Sequence, residues 1–216
     1  EDGILFKAIL DLIQPIAKTN PIVHPVLAFS LLFIQAIMLT RFMNNQRMMS
    51  RSGYFPGMAY LLITSLFPEW NFFSAPLIVN TILLFVLIAL FKIYNQSNAK
   101  ASIFNIGLAL GIISFLFFPA LTFLVWTLFA LAIMRPFRLN EWLLCILGVT
   151  TPFYFYAIYL FISGQWDWAA LWPHFSVSMP LVKQSVWLAG SAFLMIVPFL
   201  TGGYLVQNGL RRMLIQ

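Results

Sequence analysis

Charge is what this chain has least of. Only 8% of its 216 residues are Asp, Glu, Lys or Arg, against 62% hydrophobic; a soluble domain carries about 25% charged residues. Too few remain to coat a water-exposed surface, which excludes an ordinary soluble globule. Cysteine is scarcer still. Cys145 is alone, so no disulfide within the chain is possible, and a lone cysteine in an apolar segment reads as a small core residue. Only two histidines, His24 and His174, accompany it. They offer neither a metal motif nor a facing pair for haem, so no cofactor is expected.

What is present is apolar length. Runs of about 18 or more apolar residues recur, the transmembrane signature. In lipid the backbone must satisfy its own hydrogen bonds, which leaves helices or a closed barrel. A barrel strand would alternate polar and apolar residues, and "LIVNTILLFVLIALF" (77–91) does not. The expected class is all-α, a polytopic transmembrane helix bundle. Residues 1–21 read differently: Ile4, Leu5, Ala8, Ile9, Leu12 and Ile13 recur at helical spacing among Lys7, Asp11 and Lys18. This is an amphipathic interfacial segment, assigned to the outer side, with Pro15 and Pro21 as breaks. Residues 22–216 read as one transmembrane helical domain.

The topology turns on "IGLALGIISFLFFPALTFLVWTLFALAIMRP" (106–136), which contains Pro119 near its middle and no charge before Arg135. As a single helix, residues 106–135 would be about 45 Å long, against a hydrocarbon core of about 30 Å. Two crossings, with Pro119 at a tight outer turn, also sort the charges. Arg41, Arg47, Arg51, Lys92, Lys100, Arg135, Arg138, Arg211 and Arg212 then share one side, with Glu141 as the one acid among them. Lys7, Lys18 and Lys183 are left on the other side with Glu1, Asp2, Asp11, Glu69 and Asp167. A single crossing destroys this bias. Lys and Arg accumulate on the cytoplasmic side, so about seven spans are expected, near 24–42, 54–68, 76–94, 101–118, 120–135, 140–163 and 181–208, with the C-terminus cytoplasmic. The net charge of +6 is thereby read as a topology signal rather than a nucleic-acid patch.

No Asp, Glu, Lys, Arg or His lies in the middle of any expected span, which disfavours an ion-coupled carrier. The polar residues within the spans are Gln35, Asn80, Asn105 and several Ser and Thr, read as interhelical hydrogen-bonding groups. In "GLALG", Gly107 and Gly111 share a helix face and permit close helix packing, within the chain or against a partner subunit. The outer loops are aromatic. Glu69, Trp70, Trp166, Asp167, Trp168, Trp172 and His174 gather there as a headgroup belt or a lipid- or sugar-contact surface.

The segments "SLFPEW", "FNIGLALGIISFLFFPA", "RPFRLNEW" and "GVTTPF" resemble a multi-pass inner-membrane family of Bacteroidota whose function is not established. The resemblance covers about half of the chain well. It implies one more hydrophobic segment before Glu1, an eighth span, in keeping with a sequence that begins at Glu rather than Met. The same region is similar in topology to membrane glycosyltransferases that use polyprenyl-phosphate sugars. These show a G-x-x-x-G helix, a short outer turn, a returning helix, a basic cytoplasmic link and a helix with a proline. Their acidic motif in the first outer loop would correspond to "EDG" before "ILFKAILDLIQPIAK". That implies Glu1, Asp2 or Asp11 as a general base or metal ligand. The chain departs from the pattern in lacking the large outer domain and an outer cluster of Arg and Lys to hold a phosphate.

Three functions follow as expectations. The leading one is a non-catalytic scaffold or accessory subunit of an inner-membrane complex, whose partners are membrane lipid and other integral-membrane subunits. The alternatives are a glycosyltransferase-like protein, active or degenerate, and a carrier of a lipid or hydrophobic solute with a lateral opening between helices.

Overall fold

The computed structural model describes residues 3–20, 22–49, 51–94, 96, 98–134, 138–164 and 186–214. Among the described residues every element is helical: α1 Ile4–Thr19, α2 Val23–Asn45, α3 Phe55–Ser65, α4 Ala75–Ile93, α5 Lys100–Leu116, α6 Phe123–Met134, α7 Leu139–Ile162 and α8 Val186–Leu214. Two short 3₁₀ turns, Pro68–Asn71 and Phe118–Thr122, precede α4 and α6. Three helices, α2, α4 and α7, are long and apolar enough to cross a membrane. At about 1.5 Å per residue, the 19 residues of α4 reach about 28 Å and the 24 of α7 about 36 Å. The apolar stretches of α3, α5, α6 and, within α8, Gly190–Tyr204 are shorter. The 11 residues of α3 cover only about 16 Å, less than a bilayer core.

The most extensive helix pair is α5 with α7, and glycine makes it possible. A methyl group at Gly107 would overlap the carbonyl oxygen of Cys145, and one at Gly111 would lie 2.6 Å from that of Val149. Gly148 answers from α7: a methyl there would overlap the Phe104 carbonyl and lie 2.9 Å from the Leu108 nitrogen. These are backbone atoms, which cannot swing aside. Further along, the Phe115 ring lies 4.8 Å from that of Phe153 and 5.3 Å from that of Tyr156. Contacts therefore advance in the same direction on both helices: α5 and α7 run parallel. A chain that leaves the end of α5 must come back before α7 can start, and the Pro119 turn with α6 is that return.

The remaining helices follow an up-and-down order. Gln35 of α2 reaches Leu77 and Thr81 of α4, and Phe42 packs edge-on to Phe91 at 4.9 Å, so α2 and α4 are parallel. α3 runs back between them. One end of the bundle thus carries Arg41, Arg47, Arg51, Lys92, Lys100 and Arg138, from the last turns of α2 and α4, the α2–α3 connection, the start of α5 and the residue before α7. At that end α2 closes with a Schellman motif: Met48 N–H bonds to Met43 O at 3.1 Å and Arg47 N–H to Asn44 O at 3.1 Å. Arg47 holds the left-handed position, φ 51°, where glycine is usual. Asn44 then clamps the loop through both amide atoms to the backbone of Gly53.

α1 caps the opposite end. Gly3 N–H donates to the last carbonyl of α5, Leu116 O, at 2.9 Å, and Phe6 is buried against the main core with its ring 5.9 Å from Phe73. The helix has three faces. Phe6, Ile9, Leu10 and Ile13 turn to the bundle; Lys7, Asp11, Gln14 and Lys18 are exposed and polar; Ile4, Leu5, Ala8 and Leu12 are exposed and apolar. A helix lying in a membrane interface has this use for all three.

Cys145 is fully buried under Gly107, so its thiol reports on the α5–α7 contact. It should resist maleimide labelling in the folded protein in mild detergent, and Gly107→Leu should render it reactive. Overpacking of this kind typically costs about 1–3 kcal/mol. Equal labelling of the two proteins would refute the interface.

Candidate functional site

The site is built from uncharged polar groups inside an apolar bundle. Gln35 of α2 is fully buried. Its amide nitrogen donates to Leu77 O at 2.8 Å and to Thr81 Oγ1 at 2.7 Å. A backbone carbonyl can only accept, so this contact fixes which way the Gln35 amide points. Gln35 Oε1 must therefore accept, and it takes the Tyr60 hydroxyl proton from α3. Tyr60 has no second proton to give. Its oxygen accepts from Asn80 Nδ2 at 3.0 Å, and the same nitrogen lies 3.4 Å from Gln35 Oε1. One carbonyl of α4 thus sets the direction of every bond in the chain, and the Asn80 amide oxygen is left facing outward.

It faces a cavity of about 830 Å³. Asn80, Tyr60, Thr64 and Ser74 supply polar atoms to the lining; Ile63, Leu77, Leu83, Phe117, Pro119 and Phe123 make much of the apolar wall. Trp70 stands at the rim, 46% exposed, with its ring 4.5 Å from Phe67. The cavity lies at the end of the bundle opposite the Arg-rich loop, and both 3₁₀ turns contribute to its lining. α3 and α4 form one wall; the Pro119 turn and the start of α6 form the other. α3 and α6 share no extended contact, and the cavity between them is partly open. Among the described residues its lining contains no Asp, Glu, Lys, Arg or His. A volume in the range of small-molecule sites, with a mostly apolar wall and a few convergent polar groups, is the usual form of a ligand pocket.

The residues singled out from sequence fall differently. Trp70 lines the cavity. Asp11 is exposed on the polar face of α1 and is not part of the lining. Glu69 belongs to the turn Pro68–Asn71, but its side chain lies outside the described part of the structure. Glu1, Asp2, Trp166, Asp167, Trp168, Trp172 and His174 lie outside the described residues. Gly107 and Gly111 face α7 of the same chain. Gln35 and Asn80 come together, whereas Asn105 is exposed on α5 and takes no part. Tyr60 and Thr81 do not stand out in the sequence. Their one signal is position: polar atoms within apolar helices, at a depth that only the packing reveals. Among the described residues no three of His, Cys, Asp and Glu converge on a metal site.

No protein-family model matches the chain, and neither a curated protein nor a solved structure matches it. The site must be read from its own geometry.

Replacing Gln35 with leucine removes its hydrogen bonds to Leu77, Thr81 and Tyr60 without changing the helix count. Interhelical hydrogen bonds in membrane proteins contribute about 0.6–2 kcal/mol each. Gln35→Leu should lower stability by about 1–2 kcal/mol in a reversible detergent-unfolding titration, while Asn105→Leu should change it little. The reverse order would mean that the network does not hold α2, α3 and α4 together.

Proposed function

We propose that this chain is a non-catalytic, seven-span protein of the bacterial inner membrane that holds a lipid in a laterally open cavity. The observation that carries the reading is the cavity itself: apolar, partly open, and provided with an uncharged polar pocket instead of a catalytic one. Lipid enters such a space from the bilayer without crossing water, so the hydrophobic surface of the chain stays covered throughout. The aromatic rim at Trp70 and the interfacial helix α1 belong at the headgroup level.

The spans in this reading are α2 to α8. α3, too short to cross on its own, completes its passage through the turn Pro68–Asn71 and the extended residues beside it. Parallel α5 and α7 support two crossings around Pro119, and the grouping of Arg41, Arg47, Arg51, Lys92, Lys100 and Arg138 at one end supports a cytoplasmic placement of that end. α1 and the cavity then face the outer leaflet. As an accessory subunit, the protein would hold lipid for other integral-membrane partners. Its GLALG face is already occupied by α7, so a partner would need another surface.

The glycosyltransferase-like alternative is less well supported. Acid–base chemistry needs an ionisable group within hydrogen-bond reach of the substrate, and a sugar phosphate needs cations. The described lining offers neither.

Two measurements test this reading. In a Cys145→Ala background, cysteines at Asn71 and at Asn98 should label with a membrane-impermeant maleimide from opposite sides, Asn71 from outside the inner membrane. Labelling of both from one side would overturn the topology. Protein purified in mild detergent should retain lipid by native mass spectrometry, and Ile63→Trp, which fills the cavity, should lose most of it. Lipid retained equally by both proteins would place it on the outer surface and sink the cavity reading.

A further inference from the structure

The direction of the hydrogen-bond chain specifies what the cavity selects. Resting on the lipid-cavity reading, we propose that the ligand is a neutral lipid bearing a free hydroxyl, and that Asn80 Oδ1 accepts its proton. First, the lining carries no charged side chain among the described residues. A phosphate or carboxylate drawn inside would lose its hydration with no counter-charge, which disfavours an anionic headgroup. Secondly, the free polar group at the cavity wall is an acceptor. Leu77 O orients Gln35, Gln35 Oε1 takes the Tyr60 proton, and the Tyr60 oxygen takes a proton from Asn80. Turning the Asn80 amide over would set its oxygen against Gln35 Oε1, an acceptor, and against a Tyr60 oxygen whose proton is already engaged. Thirdly, no buried side-chain polar atom among the described residues lacks a partner. The outward Asn80 oxygen is thus an accessible acceptor, not a buried defect. A hydroxyl completes it. The matching ester or ether oxygen, an acceptor itself, leaves both unpaired.

Two of the neighbouring hydroxyls do not blur this preference. Thr64 Oγ1 gives its proton to the carbonyls of Tyr60 and Leu61, and Thr122 Oγ1 to that of Pro119. Ser74, also in the lining, carries a hydroxyl that can donate as well as accept, so the fixed orientation of Asn80 is what favours a donor-bearing ligand.

The test uses delipidated full-length protein in detergent and two matched pairs of probes: dioleoylglycerol with its acetate ester, and a polyprenol with its acetate. Binding is read by native mass spectrometry and by the fluorescence of Trp70 in a background where the other tryptophans are Phe. In at least one pair the alcohol should bind about fivefold or more tightly than its ester, the value of one additional neutral hydrogen bond. Asn80→Leu should abolish the preference. Gln35→Leu should abolish or invert it, because the freed Tyr60 proton can then go to Asn80 Oδ1 and turn the Asn80 nitrogen towards the cavity. Thermal unfolding of both variants identifies any that do not fold, and Asn80→Ser then stands in for Asn80→Leu as the variant that shortens the acceptor. Alcohol and ester bound alike, or a preference that survives loss of the Asn80 amide, would overturn hydroxyl selection and leave the lipid cavity standing. Failure of all four probes to bind would remove the cavity reading with it.

Discussion

The contact between α5 and α7 is the constraint from which the rest follows. In a bilayer, apolar side chains gain little by leaving lipid for one another, so helices associate through close packing and hydrogen bonds. Gly107, Gly111 and Gly148 let two backbones meet where any side chain would intrude. Because the two helices are parallel, the chain between them must turn and return within few residues. The turn Phe118–Thr122 does this. Its residues Pro119 and Ala120, with Phe117 just before them, are also one wall of the cavity, so the packing that sets the topology also positions the site.

A second principle governs α2, α3 and α4. Their interface relies on polar groups, and each is placed so that its proton has one destination. Gln35 has four partners on two other helices, and its orientation is dictated by a backbone carbonyl rather than by a side chain free to rotate. Such a network is costly when half satisfied and specific when complete. Here it is complete except at Asn80 Oδ1, the atom of the network turned towards the cavity. The incomplete valence coincides with the open space, and the proposed lipid site rests on that coincidence.

The all-helical class was legible because continuous apolar runs cannot be strands of a barrel, and the turn at Pro119 was legible because a single helix would overrun the bilayer. The cavity was not. Gln35 lies well into α2, while Asn80 and Thr81 lie near the start of α4; in the sequence they have different depths. They meet because α4 begins level with the middle of α2, an offset set by the turn Pro68–Asn71 and not by any periodicity. Tyr60 was hidden by its own duality, since its ring reads as apolar and only its hydroxyl matters here. The use of Gly107 and Gly111 was undecidable from spacing, because a partner helix inside or outside the chain leaves the same pattern. The outer acids stand out in the sequence through their charge, and of these only Asp11 has a described side chain, exposed on α1.

Neutrality and location are linked in this molecule. A charged group in the cavity would need a counter-charge or water at a depth where neither is cheap, and it would bind its ligand through a field that reaches any ion. Amide and hydroxyl groups act only at contact distance, so in the proposed lipid site they would discriminate by the direction of a single proton. That discrimination requires rigid orientation, and the orientation is supplied by Leu77 O on a helix that the core holds firmly through Ala75 and Val79. The same helix meets α5, and Phe73, just ahead of it, meets α1. A shift of α1 is therefore two contacts away from the carbonyl that orients the network, which makes α1 a part of the cavity's support.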